Sequence, residues 1–299
     1  NVLSLQWSSN PVRYAASCTR GTVGVAPGVN DWNASFGAFG QQPTVWPGQA
    51  VTFTGLTEET PHDVQGAGEA DDLWDGISGP CIVENISLAY TFGDGQRWAY
   101  TAQLQGNGAP TYPHGDIIDS LVDDGVVAGD GLAFDVPSGS DGNAKINLRD
   151  ATVAAGNAFD IEDVVSFNMT ITRPLSAYVS SSTGAYNKRV EGNLACSGSM
   201  SLLFNEFEDR QLAELINPHF VSHDVNTPKQ YEMRIYVTAS LYWRIVPVMF
   251  FTEDSNINRD SGAPNTLNMN WEWSGVWDDG ATKQQGVLVA PDSTDVVAA

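Results

Sequence analysis

Apolar and polar residues alternate with a period of two through most of this chain, the pattern of strands with one buried and one wetted face. In 160–172, Val165, Phe167, Met169 and Ile171 alternate with Ser166, Asn168 and Thr170. Residues 81–92 and 97–105 alternate likewise, and Gly93-Asp94-Gly95-Gln96 between them predicts a hairpin turn. A further long strand is expected over 189–204, where Val190, Leu194, Cys196, Met200 and Leu202 interleave with small or polar residues. Residues 231–251 form the longest β-branched and aromatic run, and 267–276 close the set with Trp271 and Trp273 on one face. Between two of these strands, 174–188 carries Tyr178, Ser180-Ser181-Ser182, Gly184 and Tyr186 and predicts an extended hairpin tip.

Helical spacing is confined to short stretches. Leu212, Leu215 and Ile216 fit one helix face in 208–217, which Pro218 ends, and a shorter pattern covers 116–122. The expected class is therefore mainly β with one or two short helices. Residues 109–157 differ from both flanks, with Asp-Gly at 124–125, 130–131 and 141–142 and only brief apolar runs. They read as a connection or insertion between a first β domain, 1–108, and a second, 158–299. Each half has an early extended pair and a late pair ending in a Trp-bearing strand followed by Gly, the order expected of a duplicated fold of low internal identity.

Composition narrows the function classes. A 42% hydrophobic fraction and nine tryptophans in 299 residues exclude a disordered chain. No uncharged apolar run reaches the roughly 18–20 residues of a membrane-spanning helix, since Arg244 and Pro247 interrupt 237–251. Residues 1–10 lack the basic and apolar regions of a leader. The expectation is a soluble protein with no membrane partner. With 36 acidic against 14 basic residues, net −22, the chain is unsuited to gripping phosphates. The acid excess serves either solubility or a surface that must not hold DNA.

Candidate chemistry is sparse. Cys18, Cys81 and Cys196 form no Cys-x-x-Cys pair and are expected to be buried free thiols, with a Cys18–Cys81 bridge as the other possibility. His219 and His223 are four apart, but no Glu follows His219 and Pro218 opposes a helix there. The acidic clusters at 69–72, 119–124 and 278–279 do not fit a calcium loop. Phosphate-loop, dinucleotide and nucleophile-elbow motifs are absent. No catalytic, metal or cofactor residues are assigned, and no enzymatic activity is expected.

One segment resembles a known family. Residues 30–40, NDWNASFGAFG, then Gln42-Pro43, Pro47-Gly48 and Val51-Thr52-Phe53-Thr54-Gly55, are similar to a pattern in structural proteins of tailed bacteriophages. Ile86-Ser87-Leu88 through Gly106-Asn107-Gly108 resembles the strand pair that follows there. The order of long strands, a tip, one helix and more strands looks like the tail-tube (major tail) fold. That resemblance implies tandem β-sandwich or barrel domains of tail-tube type, a flanking helix and a long assembly hairpin, with no catalytic residue. It implies a subunit of stacked rings forming a channel for genome passage, self-associating as trimers if the domains are duplicated and otherwise as hexamers. Its other partners would be tail or virion proteins, with DNA only as non-sticking cargo, in a virion assembled in the host cytoplasm. Tyr178, Ser181, Tyr186 and Lys188, at the 174–188 tip, are the candidate self-assembly residues. Three alternatives stay open: another virion component (capsid, decoration, tail terminator or baseplate), a secreted carbohydrate-binding or adhesive β-sandwich using surface tryptophans, and a glycoside-active enzyme built on two carboxylates.

Overall fold

The alternation is realised as an antiparallel strand system in a computed structural model. It describes residues 2–18, 21–39, 43, 45–60, 73–91, 98–111, 114–115, 146–151, 158–161, 164–178, 187–203, 230–236, 242–258, 266–278, 283–291 and 296–298. The first half holds β1 (Val2–Cys18), β2 (Gly21–Phe39), β3 (Ala50–Thr60), β4 (Leu73–Thr91) and β5 (Ala99–Gly106). Then come β6 (His114–Gly115), β7 (Ile146–Asp150), β8 (Ala158–Ile161), β9 (Val164–Thr172), β10 (Leu175–Tyr178), β11 (Lys188–Glu191) and β12 (Ala195–Leu203). The chain continues through β13 (Tyr231–Tyr236), β14 (Tyr242–Asn258), β15 (Thr266–Trp273), β16 (Val276–Asp278), β17 (Lys283–Gln285), β18 (Val287–Val289) and β19 (Val296–Ala298). The fold is mainly β, and among the described residues there is no helix. The helical patterns at 208–217 and 116–122 lie outside the described residues.

Several expected strands are interrupted. The 189–204 run is two strands, β11 and β12, parted at Gly192-Asn193-Leu194, where the Gly192 amide donates to the Pro174 carbonyl at 2.8 Å. The 231–251 run divides into β13 and β14, and the last run stops as a strand at Trp273 before the short β16–β17 hairpin. The predicted 81–105 hairpin is present as the β4–β5 pair, with its 93–96 turn outside the described residues. Part of the stretch read as a connection, β7, pairs with both β13 and β8.

The pairing order repeats. In the first half β1 pairs β2, β2 pairs β5, β5 pairs β4 and β4 pairs β3. In the second, β9 pairs β12, β12 pairs β15, β15 pairs β14 and β14 pairs β13. The two five-strand units are joined edge to edge by β4 and β9, from Asn85↔Thr172 to Thr91↔Ser166, so one sheet runs through both. Each unit contains one long strand that changes partners along its length. The start of β4 pairs with β3, and its second half lies between β5 and β9. The start of β14 pairs with β13, and its second half with β15.

One face of this sheet makes the core. Ile86, Leu88, Tyr90, Tyr100, Ala102, Leu104, Phe167, Met169, Ile171, Met200, Leu202, Met269 and Trp271 are all buried, and they form one cluster with Phe53, Leu148, Met233 and Ile245 from the other strands. An aromatic string crosses the joint between units: Tyr90 against Trp98 (centroids 4.9 Å), Trp98 against Phe167 (6.3 Å) and Phe167 stacked on Trp271 (5.9 Å). Each such pair contributes about 0.5–1.5 kcal/mol beyond the area it buries. Trp46 of the first unit meets Trp243 of the second at 5.7 Å. The units therefore share their hydrophobic interior.

Candidate assembly site

The predicted tip stands on a short two-stranded hairpin outside the main sheet. In it, among the described residues, β10 and β11 pair only with each other, from Leu175↔Glu191 to Tyr178↔Lys188. Too small to bury a face, this arm leaves Tyr178 43% and Val190 55% exposed. Of the four residues singled out from sequence, Tyr178 and Lys188 are cross-strand partners at the end of the described arm. Ser181 and Tyr186 lie outside the described residues.

The arm's root is held firmly to the first unit. The Arg173 amide donates to the Glu84 carbonyl at 2.8 Å, and Arg173 Nη1 donates to Glu191 Oε2 at 2.7 Å. These two side chains close over Gly48, where a Cβ would sit 2.8 Å from Glu191 Oε2 and 2.9 Å from Arg173 Cδ. At +90° its φ also favours glycine, so the Pro47-Gly48 turn is fitted to this root twice over. Arg189, whose side chain is only 6% exposed, is the deeper anchor. Its guanidinium pairs with Asp31 of β2, donates through Nε to the Gly106 carbonyl at 3.1 Å and reaches Gln105 Oε1 at 3.3 Å. Its backbone amide donates to Asn107 Oδ1 at 3.1 Å. A buried guanidinium needs such a full set of acceptors to be tolerated. Arg189, Arg173, Asp31 and Glu191 were not among the sequence candidates.

A second arm also escaped the sequence reading. β2 pairs with β5 only from Asn33 to Phe39, whereas β1 and β2 stay paired as far as Cys18↔Gly21. The outer part of that hairpin, beyond Asn33, thus occupies in the first unit the place that β10–β11 takes in the second. Asp31 lies at its root, so Arg189 ties one arm to the other.

Along β4, β5, β9, β12 and β15 the wetted face of the shared sheet is polar but nearly uncharged. Ser87, Thr101, Gln103, Asn168, Thr170, Ser197, Ser199 and Asn270 lie on it, and in these five strands its charged members among the residues whose side chains are described are Glu84 and Glu272. Cross-strand hydrogen bonds stitch it: Ser8 Oγ to Asn33 Oδ1 at 2.8 Å, Asn85 Nδ2 to Gln103 Oε1 at 2.8 Å and Asn168 Nδ2 to Ser199 Oγ at 2.7 Å. The hydroxyls of Ser87 and Thr170 share a 3.0 Å bond across the joint between units. Among the residues whose side chains are described, the acid excess is therefore not gathered on this part of the face.

Basic residues cluster on β13 and β14 instead. Glu232, buried, accepts from Arg234 Nε at 2.7 Å and from Arg244 Nε at 3.1 Å. Burial pushes the Glu232 carboxyl up, but the hydrogen bonds and charges of Arg244 and Arg234 outweigh it and hold it below the usual glutamate range. A depressed carboxylate stabilises the fold fully above the unfolded-state pKa, and the contribution is lost as pH falls through the folded value. Glu232→Gln should cost about 1.5–3 kcal/mol at neutral pH, and much less once the pH lies below the folded value. Denaturant titrations of both chains across the acidic range check this, and a pH-independent gap would remove the assignment.

Cys81 and Cys196 are not poised as nucleophiles. Both are free and buried, and Cys81 donates weakly to the Val51 carbonyl at 3.5 Å. Burial pushes the Cys81 thiol up to about 11, against a smaller opposing hydrogen bond at Phe53, and raises Cys196 further. With Cys81 free, the alternative Cys18–Cys81 bridge is not formed. Among the described residues no three or more His, Cys, Asp or Glu side chains gather as a metal site. Of the tryptophans whose side chains are described, Trp32, Trp98, Trp243 and Trp271 are buried and Trp46 and Trp273 partly so. None of these is an open sugar platform.

No family model matches this chain, and no curated protein matches it either. Among solved structures, a chain from the tail of an empty GTA particle, determined by helical refinement with C6 symmetry, is similar at a TM-score of 0.35 and 12% identity. The match covers 48% of this chain and 94% of that one.

Proposed function

We propose that the chain is a structural protein of a virion tail, and within that class a tail-tube subunit that self-assembles into stacked rings around a channel. The observation that carries this reading is the repeated pairing order, two five-strand units joined edge to edge in one sheet. A repeat joined in this way is a sample of an assembly that can go on adding units by the same contact. Three chains would supply six units to a ring, in keeping with the tail-tube resemblance of the sequence. The wetted face of β4, β5, β9, β12 and β15 would form the channel wall. Hydroxyls and amides there offer DNA no cation to displace counterions, so a duplex slides without being held. In this reading neutrality of the wall, rather than its acidity, keeps it non-sticking, and the acid excess keeps other surfaces soluble. The chain would need no metal or cofactor and catalyse no reaction.

Negative-stain imaging of the purified chain tests the proposal. Rings or tubes are the expected result, and a chain that stays monomeric at high concentration while binding glycans would favour the adhesive reading. The arm makes a second expectation. Deleting 179–185 should leave a folded subunit with wild-type melting, because β10 and β11 are anchored at their root, but should abolish ring or tube formation. Unchanged assembly would remove the arm from the interface.

A further inference from the structure

Among the described residues the repeat leaves two strand edges open, and we infer that they are halves of one joint between successive copies of this chain. This rests on the assembly reading above and specifies its interface. In the second unit, β9 is paired on both edges, by β12 and by β4. Its counterpart β1 is paired only by β2 among the described residues. In the first unit, the second half of β4 lies between β5 and β9. Its counterpart, the second half of β14, has β15 and no second neighbour among the described residues, since β13 and β18 pair with its beginning. The partner missing from β1 is thus a β14, and the partner missing from β14 is a β1. Among the described residues of one chain both are unfilled, and a head-to-tail neighbour fills both. Because the two contacting surfaces differ, such contacts close into a ring or continue as a filament.

The repeat also fixes the register. Leu104 pairs Ala34 and Val83 in the first unit, as Trp271 pairs Gly198 and Phe250 in the second. Carrying this frame outward makes Trp7 the counterpart of Met169, since they pair Ala34 and Gly198. It makes Ile257 the counterpart of Leu88, which pair Leu267 and Tyr100. Within the chain Leu88 lies opposite Met169 and Ser87 opposite Thr170. Between copies, Ile257 therefore falls opposite Trp7, Asn256 opposite Ser8 and Asn258 opposite Gln6. The sequence agrees with this register: apolar meets apolar at the position that is buried in the internal joint. Polar meets polar where Ser87 and Thr170 share their hydroxyl bond. Gln6 and Ser8 are exposed, as residues of a wetted face are. A one-residue slip would put apolar residues on the wetted face.

Cysteine cross-linking tests the joint. In a Cys18→Ser background, chains carrying Ser8→Cys are mixed with chains carrying Asn256→Cys and oxidised mildly. A parallel mixture uses Gln6→Cys with Asn258→Cys, so that a folding defect in one pair leaves the other to decide. Facing residues of an antiparallel pair bring their Cβ atoms within about 4.5–5.5 Å, close enough to bridge after small adjustment. The expected result is conversion of up to about half of the monomer to disulfide dimer in the mixtures, since copies meet at random around a head-to-tail joint, and none in either single-cysteine chain alone. Particles visible by negative stain without cross-links in either mixture would overturn this joint and leave the tube reading intact. A monomer that neither assembles nor cross-links would overturn both. A disulfide within one chain carrying both substitutions of a pair would place the joint inside the monomer and also overturn the inference.

Discussion

Gly198→Ala is expected to destabilise the protein by about 3 kcal/mol or more, at or beyond the usual cost of overpacking a core. Gly198 sits in β12 between Met169 of β9 and Trp271 of β15, in the middle of the second unit. A Cβ added there would press into the Asn168 carbonyl oxygen and would also lie 2.5 and 2.8 Å from atoms of the Trp271 ring. The first obstacle is backbone fixed by the β9–β12 pairing, so it cannot swing aside as a flexible side chain would. The second is a buried indole stacked on Phe167, itself part of the aromatic string that crosses the joint. Relief requires moving either a strand or that string, and both carry the contact between units. Since a domain of this kind has only about 5–15 kcal/mol of net stability, the variant should melt well below wild type or fail to accumulate. Ser199→Ala, one residue along and on the wetted face, is the control. It loses hydrogen bonding with Asn168 and should cost about 0.5–1.5 kcal/mol. Equal melting of Gly198→Ala and wild type would mean the strands are less closely seated than described.

What the sequence shows of this fold depends on where each constraint comes from. The alternation in 164–172 is clean because Phe167, Met169 and Ile171 meet a core while Asn168 and Thr170 meet water, a contrast local to the strand. The break at Gly192-Asn193-Leu194 is hidden, because the alternation runs on and the bend is set by a bond to Pro174, which lies between β9 and β10. The outer β1–β2 arm is hidden for the opposite reason. Pro11 and Pro27 with Gly21, Gly24 and Gly28 argue against a strand, yet an arm strand has one edge free and tolerates a residue that cannot donate. The internal repeat was visible only as an order of segments. Its strands keep their partners while their neighbours differ, as where Ala34 opposite Leu104 becomes Gly198 opposite Trp271. Net charge could be counted, but its placement could not: nothing local tells that Arg234 and Arg244 converge on Glu232 while the wetted face of β4, β5, β9, β12 and β15 is built mainly from Ser, Thr, Asn and Gln. Arg189 gave no signal for the same reason. Its partner Asp31 is 158 residues away in sequence, and its position beside Lys188 made it look like one more exposed residue of a tip.

That anchor leads to an asymmetric expectation. Asp31→Ala should cost about 3 kcal/mol, whereas Arg189→Met should cost roughly half of that, although both remove the same ion pair. The difference follows from burial. Without Asp31, a guanidinium that is 6% exposed keeps its positive charge and retains only neutral acceptors, the Gly106 carbonyl and Gln105. Without Arg189, Asp31 is left 32% exposed in the intact protein and free to take water, while a methionine fills much of the vacated volume. The double variant should therefore be more stable than Asp31→Ala alone, a sign reversal that denaturant unfolding of the three chains would detect. Arg189→Lys should not restore the anchor, because an ammonium cannot serve Asp31, the Gly106 carbonyl and Gln105 with one planar fork. Assembly adds a readout that separates anchoring from stability. Arg189→Met loosens the tie between the two arms while the shared core from Trp98 to Trp271 stays intact, so the chain should remain folded but form rings or tubes poorly. If Arg189→Met assembled normally while Asp31→Ala unfolded, Arg189 would be a burial liability that Asp31 neutralises, and the orientation of the arms would be set elsewhere, by Arg173, Glu191 and the Gly48 turn.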